Sequence, residues 1–203
     1  MEYKGINREW DTLKRDALAR KKSAAQFLKE GKIVEAKDTV ALLETVIKPF
    51  DKVNIEGNNQ KQADFLAKCL CEVNPEKIHD LHMVQSVLTL PEHLDVFEKG
   101  IAKKLDMSFS GPQAGRIAAF LQEGKLELGA IHTYLELYGR YFVDLTPRVA
   151  LVAATMADKD GNLFTGFSTE DTPAIVEATK FRQGIVIAQV NEIVDKLPRV
   201  DIP

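Results

Sequence analysis

The chain has 203 residues, of which 45% are hydrophobic, and it carries a formal net charge of −3. This length and apolar content suffice to bury one sizeable α/β core. Proteins that bind nucleic acid normally carry a basic surface, so the acidic balance argues against that class. The sequence has neither an apolar run of membrane-spanning length nor a secretory signal, and we therefore predict a cytoplasmic protein without a membrane partner.

The cysteine content supports the same compartment. Cys69 and Cys71 are the only two cysteines, and they lie two positions apart on a predicted helix, where such side chains point to different faces. We therefore predict buried free thiols, no disulfide and no metal site, as is typical of a reducing cytosol.

The first 48 residues show two helical patterns. Apolar residues recur at helical spacing from Arg8 to Lys29 and again from Ile33 to Ile47, and Pro49 ends the second pattern. Residues 1–37 hold ten Lys/Arg against six Asp/Glu, which indicates a solvated basic face more readily than a surface for an acidic partner. We predict that residues 1–48 form a helical extension packed on an α/β domain of residues 49–203.

From Phe50 onward, short apolar runs alternate with helical patterns. This alternation predicts a mainly parallel open sheet flanked by helices. The predicted strands cover residues 52–56, 78–87, 107–110, 126–132, 149–156 and 185–190. The predicted helices begin at Lys61, Pro91, Pro112 and Thr133, and the second of them is predicted to run from Pro91 to Leu105. A last helix is predicted to open at Pro173, with Thr172 as its N-cap.

The turn after the first predicted strand contains Gly57, Asn58, Asn59 and Gln60. Turns at the carboxyl ends of parallel strands are where such sheets bind ligands. The glycine tolerates unusual backbone angles, and the amides offer hydrogen-bond donors without formal charge. We predict that Asn59 and Gln60, with the N–H groups of a helix opening at Lys61, bind an anion or a developing oxyanion.

Further polar residues follow the other predicted strands and would share one edge of a parallel sheet. His132 has two interpretations, either a general acid or donor or a hydrogen-bonded structural residue. Glu192 is interpreted either as a nucleophile or base or as a residue that fixes its turn, and the segment 158–162 as a structural Asp-Gly turn. The candidate substrate-binding residues are Gly57, Asn58, Ser110, Gly111, Gln113, His132, Asn191 and Glu192.

Motifs of several common enzyme classes are absent from the sequence. It contains no G-x-G-x-x-G, no G-x-x-x-x-G-K, no G-x-S-x-G and no H-E-x-x-H. Dinucleotide-dependent hydride transfer, nucleotide hydrolysis, serine esterase chemistry and zinc peptidase chemistry therefore lose their usual signatures.

Several segments together resemble one family, the α subunits of malonate decarboxylases. The segments that carry this resemblance cover residues 56–66, 78–83, 109–113, 129–134 and 168–173. Residues 157–162 and 190–192 are also similar to the wider coenzyme A transferase superfamily. The resemblance implies a coenzyme A transferase-like fold and an acyl-carrier-protein transferase that exchanges acetyl for malonyl.

The resemblance also implies partners and a site. The acyl group would be carried on a coenzyme-A-like phosphopantetheine thiol of a carrier subunit, with separate decarboxylase subunits, malonate and acetate as further partners and no cofactor bound directly by this chain. In the superfamily the turn after the first strand is glycine-rich and lines the thioester pocket. Here it reads Gly57-Asn58-Asn59-Gln60, which suggests that side-chain amides take part.

Family subunits are longer than this chain, so we expect the first half of a longer subunit, with any nucleophilic glutamate outside it. Three alternatives remain open at this point: a citrate lyase α subunit, an acetate coenzyme A transferase, or a non-catalytic module that docks the carrier protein.

Overall fold

A computed structural model describes residues 11–57, 60–166 and 171–197. The helices are α1 (Thr12–Ala24), α2 (Thr39–Val46), α3 (Asp64–Cys71), α4 (Glu92–Glu98), α5 (Ala114–Gln122), α6 (Tyr134–Val143) and α7 (Thr172–Phe181). The strands are β1 (Lys52–Ile55), β2 (Leu81–Val87), β3 (Ala102–Phe109), β4 (Glu127–Ile131), β5 (Val149–Asp158), β6 (Leu163–Phe164) and β7 (Ile185–Val194).

The strands form one sheet in which β4, β3, β2, β1, β5 and β7 are parallel neighbours in that order. The short β6 pairs antiparallel with Met156 and Ala157 of β5, beyond the part of β5 that pairs with β1. The carboxyl ends of the parallel strands therefore meet at one edge, as predicted.

Helices cover both faces of this sheet, which confirms the predicted open α/β architecture. Helices α2, α3, α4 and α5 contribute to one buried cluster, and α6 and α7 contribute to a second cluster on the opposite face. Residues Val149 to Ala154 of β5 are all buried, or nearly so, between these layers. A continuous apolar run is the pattern that such a doubly covered strand requires.

Helix α1 is fixed to the rest of the chain by a polar network around Arg20, whose side chain is 5% exposed. The Arg20 guanidinium donates to the carbonyl oxygen of Val46 at 2.7 Å and pairs with the carboxylate of Asp51. Asp16, one turn earlier, accepts hydrogen bonds from Lys48 and Arg148, each at 2.6 Å. These contacts join the helical extension to the sheet, and its boundary at residue 48 stays a prediction.

Two predicted boundaries in the middle of the chain are wrong. The helix expected from Pro91 to Leu105 ends at Glu98, and Gly100 follows with a positive φ of 73°. The amide of Ile101 donates to the carbonyl oxygen of Val96, and the amide of Gly100 donates to that of Phe97. This pair of bonds is a Schellman ending, so the chain enters β3 at Ala102, earlier than predicted.

Candidate functional site

A narrow loop after β1 stands at the carboxyl edge of the sheet. Gly57 and Gln62 form an antiparallel bridge, and the amide of Ala63 donates to the carbonyl oxygen of Glu56 at 3.1 Å. The loop tip between the bridged residues contains Gln60, which is exposed. The predicted site residues Asn58 and Asn59 lie outside the described residues.

The two sides of this loop are joined by a buried carboxylate. Glu56 is fully buried, accepts the amide of Ala153 at 2.7 Å and lies 3.0 Å from the Lys61 ammonium. The Thr172 hydroxyl donates to the same carboxylate and accepts from Lys61 at 2.6 Å. A buried charge needs such a set of partners to be stable, so this cluster fixes the position of the loop.

A second polar contact holds the loop from β2. The hydroxyl of Ser86 lies 3.3 Å from the carbonyl oxygen of Gly57 and hydrogen bonds with the carboxylate of Asp171. Asp171 immediately precedes α7, and Thr172 is its first residue. The start of α7 therefore supports the loop through two adjacent side chains.

Gly57 leaves no room for a side chain. A Cβ atom there would lie 2.6 Å from Cε1 of His93 and 3.0 Å from the carbonyl oxygen of Val87. Contacts this short require atoms to move, and the Val87 oxygen belongs to the backbone of the sheet. Glycine at this position lets the backbone pass directly over the His93 ring.

His93, on α4, is a fully buried imidazole beneath the loop. Burial lowers its pKa to about 4, so the ring is neutral near pH 7. The amide of Leu90 donates to Nδ1 at 3.4 Å, which assigns the ring proton to Nε2. Nε2 has no hydrogen-bond partner among the described residues, so it is a neutral donor next to Gly57.

Ser110, Gly111 and Gln113 lie on the predicted edge, in a 3-10 turn after β3. Gly111 has a positive φ of 48°, and Nε2 of Gln113 lies 3.5 Å from the carbonyl oxygen of Thr89. Thr89 follows the end of β2, the strand whose Ser86 contacts Gly57. The 3-10 turn and the Gly57 loop therefore lie on the same edge of the sheet. Their predicted role in binding stays a prediction.

His132 follows β4, as predicted, but its side chain is fully buried. Its Nε2 lies 2.7 Å from Asp106, and its Nδ1 lies 3.1 Å from Glu136. The same Asp106 carboxylate also lies 2.6 Å from Nε2 of His82. These contacts match the structural interpretation of His132 rather than that of an accessible acid.

The predicted positions of Asn191 and Glu192 are wrong. Strand β7 was expected to end at Val190 but continues to Val194, so both residues lie exposed within the strand. The pairing of β7 with the equally long β5 explains the extension. Asp158 does form the predicted turn and accepts the amides of Asp160 and Asn162 at 3.1 and 3.0 Å.

The helix after the loop also begins later than predicted. Gln62 bridges to Gly57, so α3 starts at Asp64 and not at Lys61. The amide of Leu66 already donates to Gln189 at 3.1 Å. The helix therefore does not supply the N–H groups at Lys61 that the sequence suggested for an oxyanion.

The sequence did not reveal the residues that position the loop. Their types are common, and the only available signals were the Asp-Thr-Pro start of α7 and the charged residues flanking Gly57. The residues that position the loop are Glu56, Lys61, Ser86, His93, Asp171 and Thr172.

Three further observations concern the described residues alone. None of their helices is both long and apolar enough to cross a membrane. No group of three or more His, Cys, Asp or Glu side chains among them is arranged to hold a metal ion. Cys69 and Cys71 are buried free thiols, as predicted.

Comparison with known proteins identifies close relatives. The family described as "Malonate decarboxylase, alpha subunit, transporter" matches residues 9–203. An acetyl-S-ACP:malonate ACP transferase from Malonomonas rubra is 64% identical over 194 residues, which is 96% of this chain and 35% of the relative. The chain therefore spans about a third of the length of this relative.

Solved structures show the same relationship. A Pseudomonas malonate decarboxylase hetero-tetramer in complex with malonate matches with a TM-score of 0.93 and 55% identity, over 96% of this chain and 36% of that one. The α subunit from Acinetobacter baumannii gives 0.93 and 52%, over 97% and 36%. An acyl-CoA transferase from E. coli O157:H7, at 15% identity and a TM-score of 0.67 over 86% and 48%, shares the fold. The chain belongs to the malonate decarboxylase α-subunit family.

Proposed function

We propose that this chain forms the acyl-thioester-binding part of a carrier-protein transferase that exchanges acetyl for malonyl. The observation that carries the proposal is the loop at the carboxyl edge, where Gly57 passes over the neutral imidazole of His93. The name of the Malonomonas relative states this activity for that protein.

The overall exchange converts an acetyl thioester and malonate into a malonyl thioester and acetate. Cleavage of a thioester passes through tetrahedral species in which the former carbonyl oxygen carries negative charge. A positioned neutral donor for that oxygen is worth about 2.7–4 kcal/mol, or roughly a hundred- to thousandfold in rate.

The loop can supply such donors from two sides. Gln60 presents a side-chain amide at the exposed part of the loop, and Asn59 is the residue before it in the sequence. The imidazole of His93 lies beneath Gly57. The Glu56–Lys61–Thr172 cluster keeps the loop in place without contributing charge at its exposed tip.

The proposed thioester lies on a phosphopantetheine group of a carrier subunit, which this chain meets as a substrate and does not hold as a cofactor. The thiol would enter at the exposed carboxyl edge. The decarboxylase subunits act on the malonyl product, and the Pseudomonas hetero-tetramer supports an assembly of several subunits. The buried free thiols are in keeping with the reducing cytoplasm.

The test uses the full-length subunit that contains this chain. Acetyl-loaded carrier protein is mixed with malonate, citrate or isotopically labelled acetate, and the acyl group on the carrier is followed by mass spectrometry. We expect malonate to be the preferred acceptor, and Asn59→Ala or Gln60→Ala to slow exchange by at least tenfold. Exchange within about threefold of wild type in both variants would contradict the role of the amides.

His93 allows a sharper test of the same site. His93→Phe removes the Nε2 donor but keeps a buried ring, and we expect a roughly hundredfold loss of exchange. Nε2 has no partner among the described residues, so the stability lost is that of the long hydrogen bond from the Leu90 amide to Nδ1. His93→Gln, which can present an N–H, should recover part of the rate. Gln122→Ala, an exposed amide at the end of α5, is the matched control.

A further inference from the structure

A cavity opens near the amino ends of the strands, away from the loop. It has a volume of about 330 Å³ and lies beneath the end of α6. The chain advances roughly 16 Å from Lys52, at the start of β1, to Gly57 in the loop. The cavity and the loop therefore lie at opposite ends of β1. The charged and titratable side chains of its lining are those of Lys52, His82, Lys104, Asp106, Arg140 and Asp144.

The parallel register brings the basic residues together. Lys52 pairs with His82, and His82 pairs with Lys104. Residues paired across neighbouring strands point to the same face of a sheet. Strands β1, β2 and β3 therefore place one lysine on each side of the His82 imidazole.

The acidic groups of the cavity are engaged with other partners. Asp144 receives two hydrogen bonds from Arg140, each at 2.5 Å. Asp106 is shared between His82 and His132, at 2.6 and 2.7 Å. Gly129 makes this sharing possible, since a Cβ there would lie 2.0 Å from the Asp106 carboxylate.

In the part of the chain that the structure describes, no carboxylate lies within ion-pairing distance of the ammonium groups of Lys52 or Lys104. The lining contains three basic side chains, Lys52, Lys104 and Arg140, against the two carboxylates Asp106 and Asp144, a formal excess of one positive charge. Walls of lower dielectric constant strengthen the field of such charges.

We propose that this cavity binds a small dianion, a phosphate monoester or a dicarboxylate, between Lys52 and Lys104. Its volume falls at the lower end of the range for small-molecule sites. Lysine ammonium groups bind phosphate and carboxylate oxygens through charge-assisted hydrogen bonds. Nothing in this inference depends on the transfer reaction at the loop.

The environment of His82 agrees with this assignment. Desolvation is the main cause that lowers its pKa, and the charges of Lys104 and Lys52 lower it further, against the opposing effect of Asp106. A dianion between the lysines would offset their charge and raise the pKa of His82. Bound ligand and imidazole titration are thus linked.

The first experiment locates the anion directly. Crystals of the full-length subunit are soaked in selenate, a dianion whose anomalous scattering marks its position. We expect a peak between the ammonium groups of Lys52 and Lys104. A fully occupied peak elsewhere, with none in this cavity, would overturn the proposal.

The second experiment measures affinity by isothermal titration calorimetry with inorganic phosphate and, separately, with malonate. Lys104→Gln should weaken binding of the preferred anion about tenfold, the loss expected for one charge-assisted contact. Lys103→Gln is the matched control, since the neighbouring Lys103 does not line the cavity and lies 3.7 Å from Glu127. A preference for phosphate identifies a phosphate ligand, and a preference for malonate identifies a dicarboxylate. Equal affinities of Lys104→Gln and wild type would refute the site.

Discussion

Replacing Glu56 by glutamine tests whether the buried carboxylate holds the candidate loop. The substitution keeps the shape of the side chain but removes its charge from beside the Lys61 ammonium, which is 13% exposed. One carboxylate oxygen accepts the amide of Ala153, and the other accepts the hydroxyl of Thr172. An amide has only one oxygen, so its NH₂ group must face a donor on one of the two sides.

The expected cost follows from these contacts. A buried donor left without an acceptor costs about 1–3 kcal/mol, and removing one partner of a buried ion pair costs about 3–5 kcal/mol in total. Because the contacts lie at the two sides of the loop, we expect the cost to appear as local opening. An opening free energy lower by 3–5 kcal/mol corresponds to amide exchange faster by roughly two to four orders of magnitude.

Hydrogen–deuterium exchange with mass spectrometry measures this in the full-length subunit, with peptides that cover residues 56–63 and Ala153. Glu127→Gln is the control, since that side chain is 62% exposed and lies 3.7 Å from Lys103, and we expect a change below about 0.5 kcal/mol. The double variant Glu56→Gln/Lys61→Met should exchange more slowly than Glu56→Gln alone. Exchange of Ala153 within about fivefold of wild type in Glu56→Gln would refute the reasoning.

Three further predictions concern other parts of the structure. Gly57→Ala should displace the loop and slow acyl exchange about a hundredfold, since the new Cβ would meet backbone of β2; an unchanged rate would contradict the packing argument. Burial raises the pKa of the Cys71 thiol to about 12, so iodoacetamide at pH 8 should alkylate it only after unfolding, and rapid alkylation of the native protein would contradict this. Although burial alone would raise the pKa of Asp16, hydrogen bonds from Lys48, Arg148 and Arg20 hold it below its ordinary value of 3.8. The stabilisation by Asp16 is therefore present above pH 3.8 and lost as the pH falls below that value. Thermal melts of Asp16→Asn should show a lower melting temperature than wild type at pH 7 and a smaller fall in melting temperature on acidification. Parallel plots of melting temperature against pH for the two proteins would contradict the assignment.

The architecture was predictable because its signals are local and repeated. The alternation of short apolar runs with helical patterns predicted the parallel sheet, and the buried run of β5 indicated a strand covered on both faces. The same logic placed Gly57 and the turn at Ser110 on one edge of the sheet. Parallel strands make this inference possible, since their carboxyl ends share an edge whatever their order.

The ends of the elements were less predictable. The apolar spacing of Ile101 and Leu105 continues the periodicity of α4, although both residues belong to the chain after Gly100. Period alone does not distinguish a helix from a strand over so few residues. The glycine was the physical signal, because its left-handed conformation ends the helix.

The residues that support the Gly57 loop could not be predicted from the sequence for a different reason. Ser86 and Asp171 are 85 positions apart, and Glu56 and Thr172 are 116 positions apart. None of these residue types is unusual, and no local pattern links them. Only the path of the chain through the sheet brings them to one place.

At the start of α7, two side chains contact residues that support the loop and do not cap their own helix. The sequence predicts Thr172 as an N-cap before Pro173, and such a side-chain cap contributes about 1 kcal/mol. The structure begins α7 one residue earlier, at Thr172, with Asp171 at the N-cap position. In the structure Asp171 makes no capping hydrogen bond and instead binds Ser86, while the hydroxyl of Thr172 binds Glu56. Both side chains are thus used to support the loop rather than their own helix, at the expense of a local stabilising contact. Asp171 and Thr172 therefore stabilise the Gly57 loop through Ser86 and Glu56 and not the first turn of α7.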